Sequence, residues 1–317
     1  MTTRERVAAI DIGTNSTRLL VAEVAGTGSL HTVERINQIT RLGQDVDRRG
    51  VLDPAAIERT VGVLARYREV MDGAGVAPGR VRMTATSASR DARNRDDFFD
   101  AAEAAVGVRP ELLSGDDEAR LSFLGATRDL DPADGPFLVF DLGGGSTEFV
   151  YGSVDADGHP TVSAAVSVAL GCVRMTERFI TADPPPAEDL SAVISYADAW
   201  LDDVIIALPD LAEARTVVGL AGTVTTVAAV ELGLVAHDRD ATHHFALTKA
   251  AAEDVFRTLA TEPRADRIHN PGLEEARADV IVGGCCVLVA IFRRLGLAEV
   301  LVSEADILDG LAYSLAP

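Results

Sequence analysis

Positive charge is scarce in this 317-residue sequence. The chain carries 29 lysine and arginine residues against 49 aspartate and glutamate residues, which gives a formal net charge of −20, and Lys249 is its single lysine. An acidic chain of this kind does not attract nucleic acid by general electrostatics, so we expect no nucleic-acid partner. A phosphate-bearing substrate would need a metal ion or local arginines to offset the repulsion.

The sequence also contains few cysteines and no long apolar run. The three cysteines are Cys172, Cys285 and Cys286. They are odd in number and match neither a disulfide framework nor a zinc-site spacing. The longest apolar run, residues 280–292, is too short to span a bilayer and predicts a buried helix. Residues 1–6 are polar, unlike a signal peptide. We therefore expect a cytoplasmic protein with no membrane partner.

Two short segments of the chain share one pattern. Asp11-Ile-Gly-Thr-Asn-Ser-Thr and Asp141-Leu-Gly-Gly-Gly-Ser-Thr agree at the Asp, Gly, Ser and Thr positions, and an apolar strand enters each turn. Glycine lets backbone N–H groups approach phosphate oxygens, and nearby hydroxyl groups add donors. One such turn is ordinary hairpin chemistry. Its repetition indicates two copies of one α/β domain, which suits the length of the chain.

The rest of the chain predicts helices and strands in alternation. Asp53-Pro54 predicts the start of a helix that ends at Gly73, and Ser114 or Asp116 predicts the cap of a helix that carries Glu118. The other predicted elements are strands at 81–86 and 137–142 and helices at 97–106 and 306–315, the last of which we expect to return to the first domain.

Two further segments have ambiguous patterns. Residues 218–226, Val-Gly-Leu-Ala-Gly-Thr-Val-Thr-Thr, could open a helix whose amides face an anion. Glycine-rich starts of buried helices are equally common. The segment from His237 to His244 contains three histidines and two aspartates, but its contiguous polar setting favours a surface loop over a metal site.

Together these motifs resemble the exopolyphosphatase and guanosine pentaphosphate phosphohydrolase family. The resemblance covers essentially the whole chain, and it rests on the two turns together with Ala85-Thr-Ser-Ala-Ser-Arg-Asp-Ala-Arg-Asn and Leu113-Ser-Gly-Asp-Asp-Glu-Ala-Arg-Leu. It implies an α/β fold of two related actin/Hsp70-like (ribonuclease H-like) domains facing across a cleft. Domain I is expected at residues 1–125 plus 303–317, and domain II at residues 126–302. The resemblance also implies a homodimer that uses Mg²⁺, with Mn²⁺ as the alternative.

The resemblance assigns roles to the candidate site residues. Glu118 would act as the base that activates water, and Glu148 would help to position the water or the metal. Asp141 would coordinate the metal, with Asp11 as a direct or second-sphere ligand, and Arg93 would stabilise phosphate charge. The phosphates would be bound by Thr14, Asn15, Ser16, Gly143, Gly144, Gly145 and Ser146.

The residues alone leave plainer alternatives open for three of these side chains. Glu118 lies in the first turn of a helix, where an acid merely complements the helix dipole. Glu148 could be an outward-facing strand residue, and Arg93 a solvated arginine on an exposed loop.

The sequence also departs from the family at its end. Leu308-Asp309-Gly310 has leucine where the family usually has arginine, so we do not carry over a substrate contact from that position. The helical domains that longer relatives append are absent from the given chain, which favours short polyphosphate chains as substrate.

Several functions suit this fold, and the fold alone does not decide between them. We expect a phosphohydrolase that releases terminal orthophosphate from inorganic polyphosphate by Mg²⁺-assisted attack of water. One alternative is a guanosine pentaphosphate 5′-phosphohydrolase. Another is a non-catalytic sensor of guanosine tetra- or pentaphosphate. A kinase of this fold would additionally require a pocket for a hydroxyl acceptor.

Overall fold

The chain divides into two compact units. The computed structural model describes residues 5–25 and 29–316. One unit comprises Met1–Gly125 and Ile307–Pro317, and the other comprises Ala126–Asp306. Residues 303–306, which we assigned to domain I, lie with the second unit, where Ser303 donates its N–H to the carbonyl of Gly219. The predictions for residues 1–4 and 317 lie outside the described residues.

The first unit is built on a five-stranded sheet with flanking helices. Its elements before the crossing to the second unit are β1 (Glu5–Ile12), β2 (Ser16–Val24), β3 (Leu30–Ile39), α1 (Val46–Arg49), α2 (Pro54–Gly73), β4 (Val81–Ala85), α3 (Ser87–Asp91), α4 (Arg95–Val106), β5 (Glu111–Leu112) and α5 (Gly115–Thr127). The strand order is β3-β2-β1-β4-β5. The first three strands are antiparallel neighbours, whereas β4 and β5 run parallel to β1.

The second unit is built on a six-stranded sheet. Its elements are β6 (Phe137–Leu142), β7 (Thr147–Val154), β8 (Pro160–Val168), α6 (Cys172–Phe179), α7 (Ala187–Ala207), β9 (Thr216–Leu220), α8 (Ala221–Glu231), α9 (Arg239–Thr242), β10 (Ala246–Thr248), α10 (Lys249–Thr261), α11 (Arg264–Arg267), α12 (Ile281–Arg294) and β11 (Glu299–Val302). The strand order is β10-β11-β9-β6-β7-β8. The chain then returns to the first unit as α13 (Ile307–Ser314).

The two sheets share one topology. β6, β7, β8, β9 and β11 take the places of β1, β2, β3, β4 and β5, and β10 adds an antiparallel edge strand. The correspondence includes an irregularity, because the register shifts between Val21 and Ala22 in the first sheet and between Tyr151 and Gly152 in the second. These shifts are separated by the same 130 residues as the two turns. The predicted internal repeat is therefore confirmed.

Apolar central strands hold the two turns in place. Residues 7–12 of β1 and residues 137–142 of β6 are all buried. A strand covered on both faces requires such a continuous apolar run. In the second sheet, Phe140 and Phe149 stack with their ring centroids 6.1 Å apart. Each fully buried phenylalanine contributes about 1.5–3 kcal/mol. Each turn therefore follows a strand that is buried in the hydrophobic core of its unit.

The predicted helices are present with small shifts of their ends. Asp53 caps α2 by accepting a hydrogen bond from the N–H of Ala55 at 2.9 Å. Ser114 caps α5, since its Oγ accepts from the N–H of Asp117 at 3.1 Å. The apolar run forms α12, in which residues 281–292 are buried.

Membrane-spanning helices are not found in the part of the chain that the structure describes, since none of its helices has the length and hydrophobicity to span a bilayer. All three cysteines are buried free thiols.

The last helix, α13, packs on the first sheet. Its apolar residues join Val7, Ala9 and Leu20 in one buried cluster. Leu308 belongs to this cluster and is 1% exposed. The position where the family usually has arginine is thus a core position in this protein.

Candidate active site

The turn between β1 and β2 is held by a loop of the same unit. The N–H of Gly13 donates to the carbonyl of Ser16 at 2.9 Å and closes the turn. The carbonyl of Thr14 accepts from the N–H of Gly43 at 2.8 Å, and the carbonyl of Asn15 accepts from Arg41 at 2.8 Å. Thr14 and Asn15 are buried, and Ser16 is half-buried.

The turn between β6 and β7 has the same construction. The N–H of Gly143 donates to the carbonyl of Ser146 at 3.0 Å. The N-terminus of α6 supports the turn from behind, since the N–H of Val173 donates to the carbonyl of Gly144 at 2.9 Å. The Nε of Arg174 donates to the carbonyl of Gly145 at 2.7 Å. The hydrogen bond that the carbonyl of Gly144 accepts from Val173 corresponds to the one that the carbonyl of Thr14, 130 residues earlier, accepts from Gly43.

In both turns the carbonyl oxygens accept hydrogen bonds from the protein, whereas several backbone N–H groups have no acceptor within residues 5–25 and 29–316. Among the described residues, the N–H groups of Thr14 and Asn15 donate to no protein group, and neither do those of Gly144, Gly145 and Ser146. Successive free amides in a glycine-rich turn form a concave anion-binding surface. The geometry of each turn therefore suits a phosphate group.

The residue opposite the aspartate differs between the two copies. In the first sheet Asp11 lies opposite Arg18, and its Oδ2 accepts from Nη2 of that arginine at 2.6 Å. In the second sheet Asp141 lies opposite Glu148, and both carboxylates are buried. Directly opposed like charges destabilise a sheet unless another group offsets them. Glu148 also accepts from the Oγ of Ser167 at 2.7 Å.

This difference tests where a divalent cation fits. Buried carboxylate oxygens are the ligands that Mg²⁺ prefers. Asp141 and Glu148 supply two such groups from adjacent strands, whereas Asp11 already has a cationic partner in Arg18. Both copies place buried carboxylate oxygens at the end of the central strand, and the predicted metal roles of Asp141 and Asp11 stay predictions.

Glu118 lies at the carboxyl edge of the first sheet. The strands β1, β4 and β5 are parallel, so the segments that follow them share one edge. In open α/β sheets this edge carries the ligands. Glu118 is in the first turn of α5, after β5, and its side chain is 12% exposed. Its Oε2 accepts from Nη1 of Arg90, which follows β4, at 2.7 Å.

Arg90, not Arg93, is the arginine that contacts Glu118. The same Nη1 of Arg90 donates to the carbonyl of Leu113 at 3.0 Å, which fixes the guanidinium beside the start of α5. Arg93 lies against Gly50, and its Nη2 donates to the carbonyl of Arg49 at 3.3 Å. The role of Arg93 in stabilising phosphate charge stays a prediction, whereas the contact of Arg90 with Glu118 was not predicted. The short helix α3 decides which arginine faces α5, and the sequence gives no clear signal for it.

The third glycine-rich segment forms the end of β9 and the start of α8. A Cβ at Gly219 would press on the ring of Phe140 at 2.8 Å and on Val300 at 2.9 Å. A Cβ at Gly222 would overlap the guanidinium of Arg277. Arg277 thus lies at the first turn of α8, where the helix dipole is also positive. The Nε of Arg277 also donates to Oε2 of Glu274 at 3.1 Å, so an anion at this position would share the guanidinium with that carboxylate. The sequence patterns indicated no role for Arg277.

The histidine-rich loop contacts a residue far away in the sequence. Nε2 of His243 lies 2.8 Å from Oδ2 of Asp129, and Nε2 of His244 lies 3.7 Å from the same oxygen. The Nδ1 of His243 accepts from the N–H of Glu304 at 3.1 Å, so its proton is on Nε2, directed at Asp129. Burial alone would raise the pKa of Asp129, but the hydrogen bond from His243 lowers it below its usual range. The segment is not a plain loop, because it contains α9, whose N-terminus is capped by Asp238. Asp129, His243 and His244 offer ligand atoms within 4.8 Å of one another, so the preference for a loop over a metal site stays a prediction.

The two α/β units, each with a turn whose amides suit a phosphate group, place the chain in the actin-like fold class. The chain belongs to the Ppx/GppA phosphatase family, whose family model matches residues 6–317.

Proteins of known sequence and structure are similar over the whole chain. Exopolyphosphatase 2 of Mycobacterium tuberculosis is 43% identical over 323 aligned positions, which cover 98% of each chain. A guanosine-5′-triphosphate,3′-diphosphate pyrophosphatase of Photobacterium profundum is 28% identical, with 97% of this chain and 59% of that protein covered. The crystal structure of an exopolyphosphatase-like protein is 37% identical, with a TM-score of 0.92 and 98% of each chain covered. The PPX-GPPA enzyme of Aquifex aeolicus is 32% identical, with a TM-score of 0.79, and the match covers 98% of this chain and 99% of that one.

Proposed function

We propose that the protein is an exopolyphosphatase that releases terminal orthophosphate from inorganic polyphosphate. The observation that carries the proposal is the pair of equivalent turns. Their carbonyl oxygens accept hydrogen bonds from neighbouring backbone groups, and several of their N–H groups can donate to a ligand. A terminal phosphoryl group offers several anionic oxygens for such donors. The similarity to exopolyphosphatase 2 of Mycobacterium tuberculosis supports the choice of substrate.

Glu118 is the base in this proposal. Hydrolysis of a phosphoanhydride needs a positioned water in line with the leaving group. The cap at Ser114 fixes the first turn of α5, and Arg90 holds the carboxylate of Glu118 through a 2.7 Å hydrogen bond. This contact fixes the position of the carboxylate at the edge of the sheet.

In this proposal each turn, at residues 143–146 and at residues 14–16, binds phosphate groups of the substrate through its available amides. Arg277 at the start of α8 provides positive charge for a further phosphate of the chain. This arrangement answers the problem that a protein of net charge −20 poses for a polyanion, since the attraction is local.

A Mg²⁺ ion held by Asp141 and Glu148 would supply positive charge to the oxygens of the transferred group. Their cross-strand placement is the supporting observation. Mn²⁺ prefers similar oxygen ligands and is the alternative ion. We further propose a cytoplasmic homodimer, for which sedimentation of the purified protein gives the association state.

The second candidate substrate is guanosine pentaphosphate. It also presents a terminal phosphoanhydride, and the pyrophosphatase of Photobacterium profundum is a relative. A sensor would bind this nucleotide without releasing phosphate.

Phosphate release by the purified protein tests the proposal. The assay contains Mg²⁺ and compares short polyphosphate, long polyphosphate, guanosine pentaphosphate and ATP. We expect the fastest turnover with short polyphosphate. Faster turnover of guanosine pentaphosphate would transfer the assignment to the second candidate. Binding of any of these compounds without phosphate release would establish a sensor and overturn the hydrolase assignment.

A further inference from the structure

The last helix of the chain touches the helix of Glu118 through its backbone. A Cβ built on Gly310 of α13 would lie 2.8 Å from the carbonyl carbon of Leu121 and 3.2 Å from its Cα, and it would overlap the carbonyl oxygen. Real Cβ atoms do not approach a backbone this closely, so only glycine allows α13 and α5 to pack at this distance. Leu121 follows Glu118 by three residues and therefore lies about one turn further along the same face of α5.

The other side of α13 is fixed to the first sheet. Its residues Ile307, Leu308 and Leu311 are buried in the cluster that contains Val7 and Leu20. The Nη2 of Arg35 on β3 also donates to both carboxylate oxygens of Asp309, at 2.5 and 2.6 Å. A helix held by a buried cluster and an ion pair does not move readily. Any crowding between the two helices should therefore displace α5.

We propose that Gly310 is a positioning residue for Glu118. By allowing direct backbone contact at Leu121, it sets the distance of α5 from the sheet and thereby the position of the Glu118 carboxylate. The helix α13, which follows the second unit in the sequence, thus helps to position the carboxylate of Glu118, which precedes that unit. This inference rests on the proposed function, in which Glu118 is the base.

Gly310→Ala tests the proposal through the kinetics of phosphate release. The added methyl group should displace α5, and a misplacement of about 1 Å costs on the order of 100-fold in rate. We expect kcat with short polyphosphate to fall on the order of 10–100-fold. The KM should change less than kcat, because the atoms nearest to the added methyl group belong to Leu121 of α5 and not to a phosphate-binding turn. Gly62→Ala is the matched control, since a Cβ at Gly62 on α2 meets nothing within 4 Å.

A double-mutant cycle separates positioning from general damage. If Gly310 acts through Glu118, then Gly310→Ala should lower kcat in the wild-type background but not in the Glu118→Gln background. An equal fold-reduction in both backgrounds would overturn the inference and leave the role of Glu118 intact. A Glu118→Gln variant with wild-type turnover would instead remove the proposed base itself.

A milder variant keeps the test informative if Gly310→Ala does not fold. Asp309→Asn weakens the ion pair to Arg35 and loosens α13 without adding atoms near α5. We expect a several-fold lower kcat with an unchanged KM, and no further effect in the Glu118→Gln background. An unchanged kcat, or a reduction that persists in that background, would contradict the positioning role.

Discussion

At the scale of single residues, the two copies of the fold differ most informatively at one strand position. Arg18 and Glu148 occupy equivalent places, each opposite an aspartate. Arg18 neutralises Asp11 with a 2.6 Å ion pair, whereas Glu148 adds a second buried carboxylate beside Asp141. The two copies thus differ in the charge of the residue that lies opposite the aspartate, and we propose that Asp141 and Glu148 bind the metal ion.

Replacement of Glu148 should change the response to metal. We expect Glu148→Gln to raise the Mg²⁺ concentration for half-maximal phosphate release on the order of tenfold or more, because one of two carboxylates is lost. Titration of activity with Mg²⁺ measures the effect. Ser167→Ala is the control, since it removes a hydrogen bond to Glu148 but keeps the carboxylate. An unchanged Mg²⁺ requirement in Glu148→Gln would exclude Glu148 from the metal site.

At the scale of secondary-structure elements, a helix shapes the phosphate turn of the second unit. α6 begins directly beneath the turn, and the N–H groups of Cys172 and Val173 hold the carbonyls of Gly143 and Gly144. Gly171, just before the helix, has an extended backbone with φ of −142° that any residue can adopt. Glycine is needed there for space alone, because a Cβ would overlap the backbone of Gly144.

Gly171→Ala should therefore damage phosphate binding. The methyl group must push the turn away from α6, and overpacking of this kind costs about 1–3 kcal/mol of stability. We expect a higher KM for short polyphosphate, measured by phosphate release, and a lower midpoint in urea unfolding. The same methyl group in Gly62→Ala, at an exposed position inside α2, should leave the KM close to that of the wild type and should not lower the urea midpoint, since alanine is about 0.5–1 kcal/mol more favourable than glycine in a helix. A wild-type KM in Gly171→Ala would mean that α6 does not shape the substrate site.

The histidine loop makes stability depend on pH. Burial and the neighbouring His243 lower the pKa of His244 below its ordinary value of 6.5, and Asp129 opposes them only in part. The unfolded chain therefore takes up a proton at His244 before the folded protein does. The stability that the neutral ring contributes is complete above pH 6.5 and is lost as the pH falls through the lowered pKa.

His244→Asn tests this dependence. Asparagine tolerates the positive φ of 63° at this position and cannot titrate. The free energy of unfolding of the wild type, relative to His244→Asn, should be highest near pH 8 and should decrease as the pH falls below 6.5. Urea unfolding at a series of pH values measures this difference. A difference that stays constant, or that grows towards acid pH, would contradict the lowered pKa.

At the scale of the whole molecule, local sequence patterns predicted much of the fold. The repeated Asp-x-Gly turns, the strand at 137–142, the cap at Ser114 and the buried helix after residue 280 all depend on neighbours in sequence. They were therefore accessible from periodicity and turn chemistry alone. The duplicated α/β architecture followed from the repeat.

Contacts between distant segments were not accessible in this way. The pairing of Arg90 with Glu118 depends on how α3 leaves β4, and the contact of His243 with Asp129 joins residues 114 positions apart. The importance of Gly310 is visible only when α13 lies against α5. The candidate catalytic residues were found from motifs, but the groups that hold them in place required the folded chain.

The most direct test of the account is the kcat for phosphate release from short polyphosphate by Glu118→Gln, measured beside Asp116→Asn. Both variants remove one negative charge from the first turn of α5, but only Glu118 is held by Arg90 at the edge of the sheet. We expect Glu118→Gln to lower kcat on the order of 10²–10⁴-fold, the usual contribution of a general base, and Asp116→Asn to stay near the wild type. Equal, small effects of the two variants would reduce Glu118 to a helix-dipole residue and contradict the proposed mechanism.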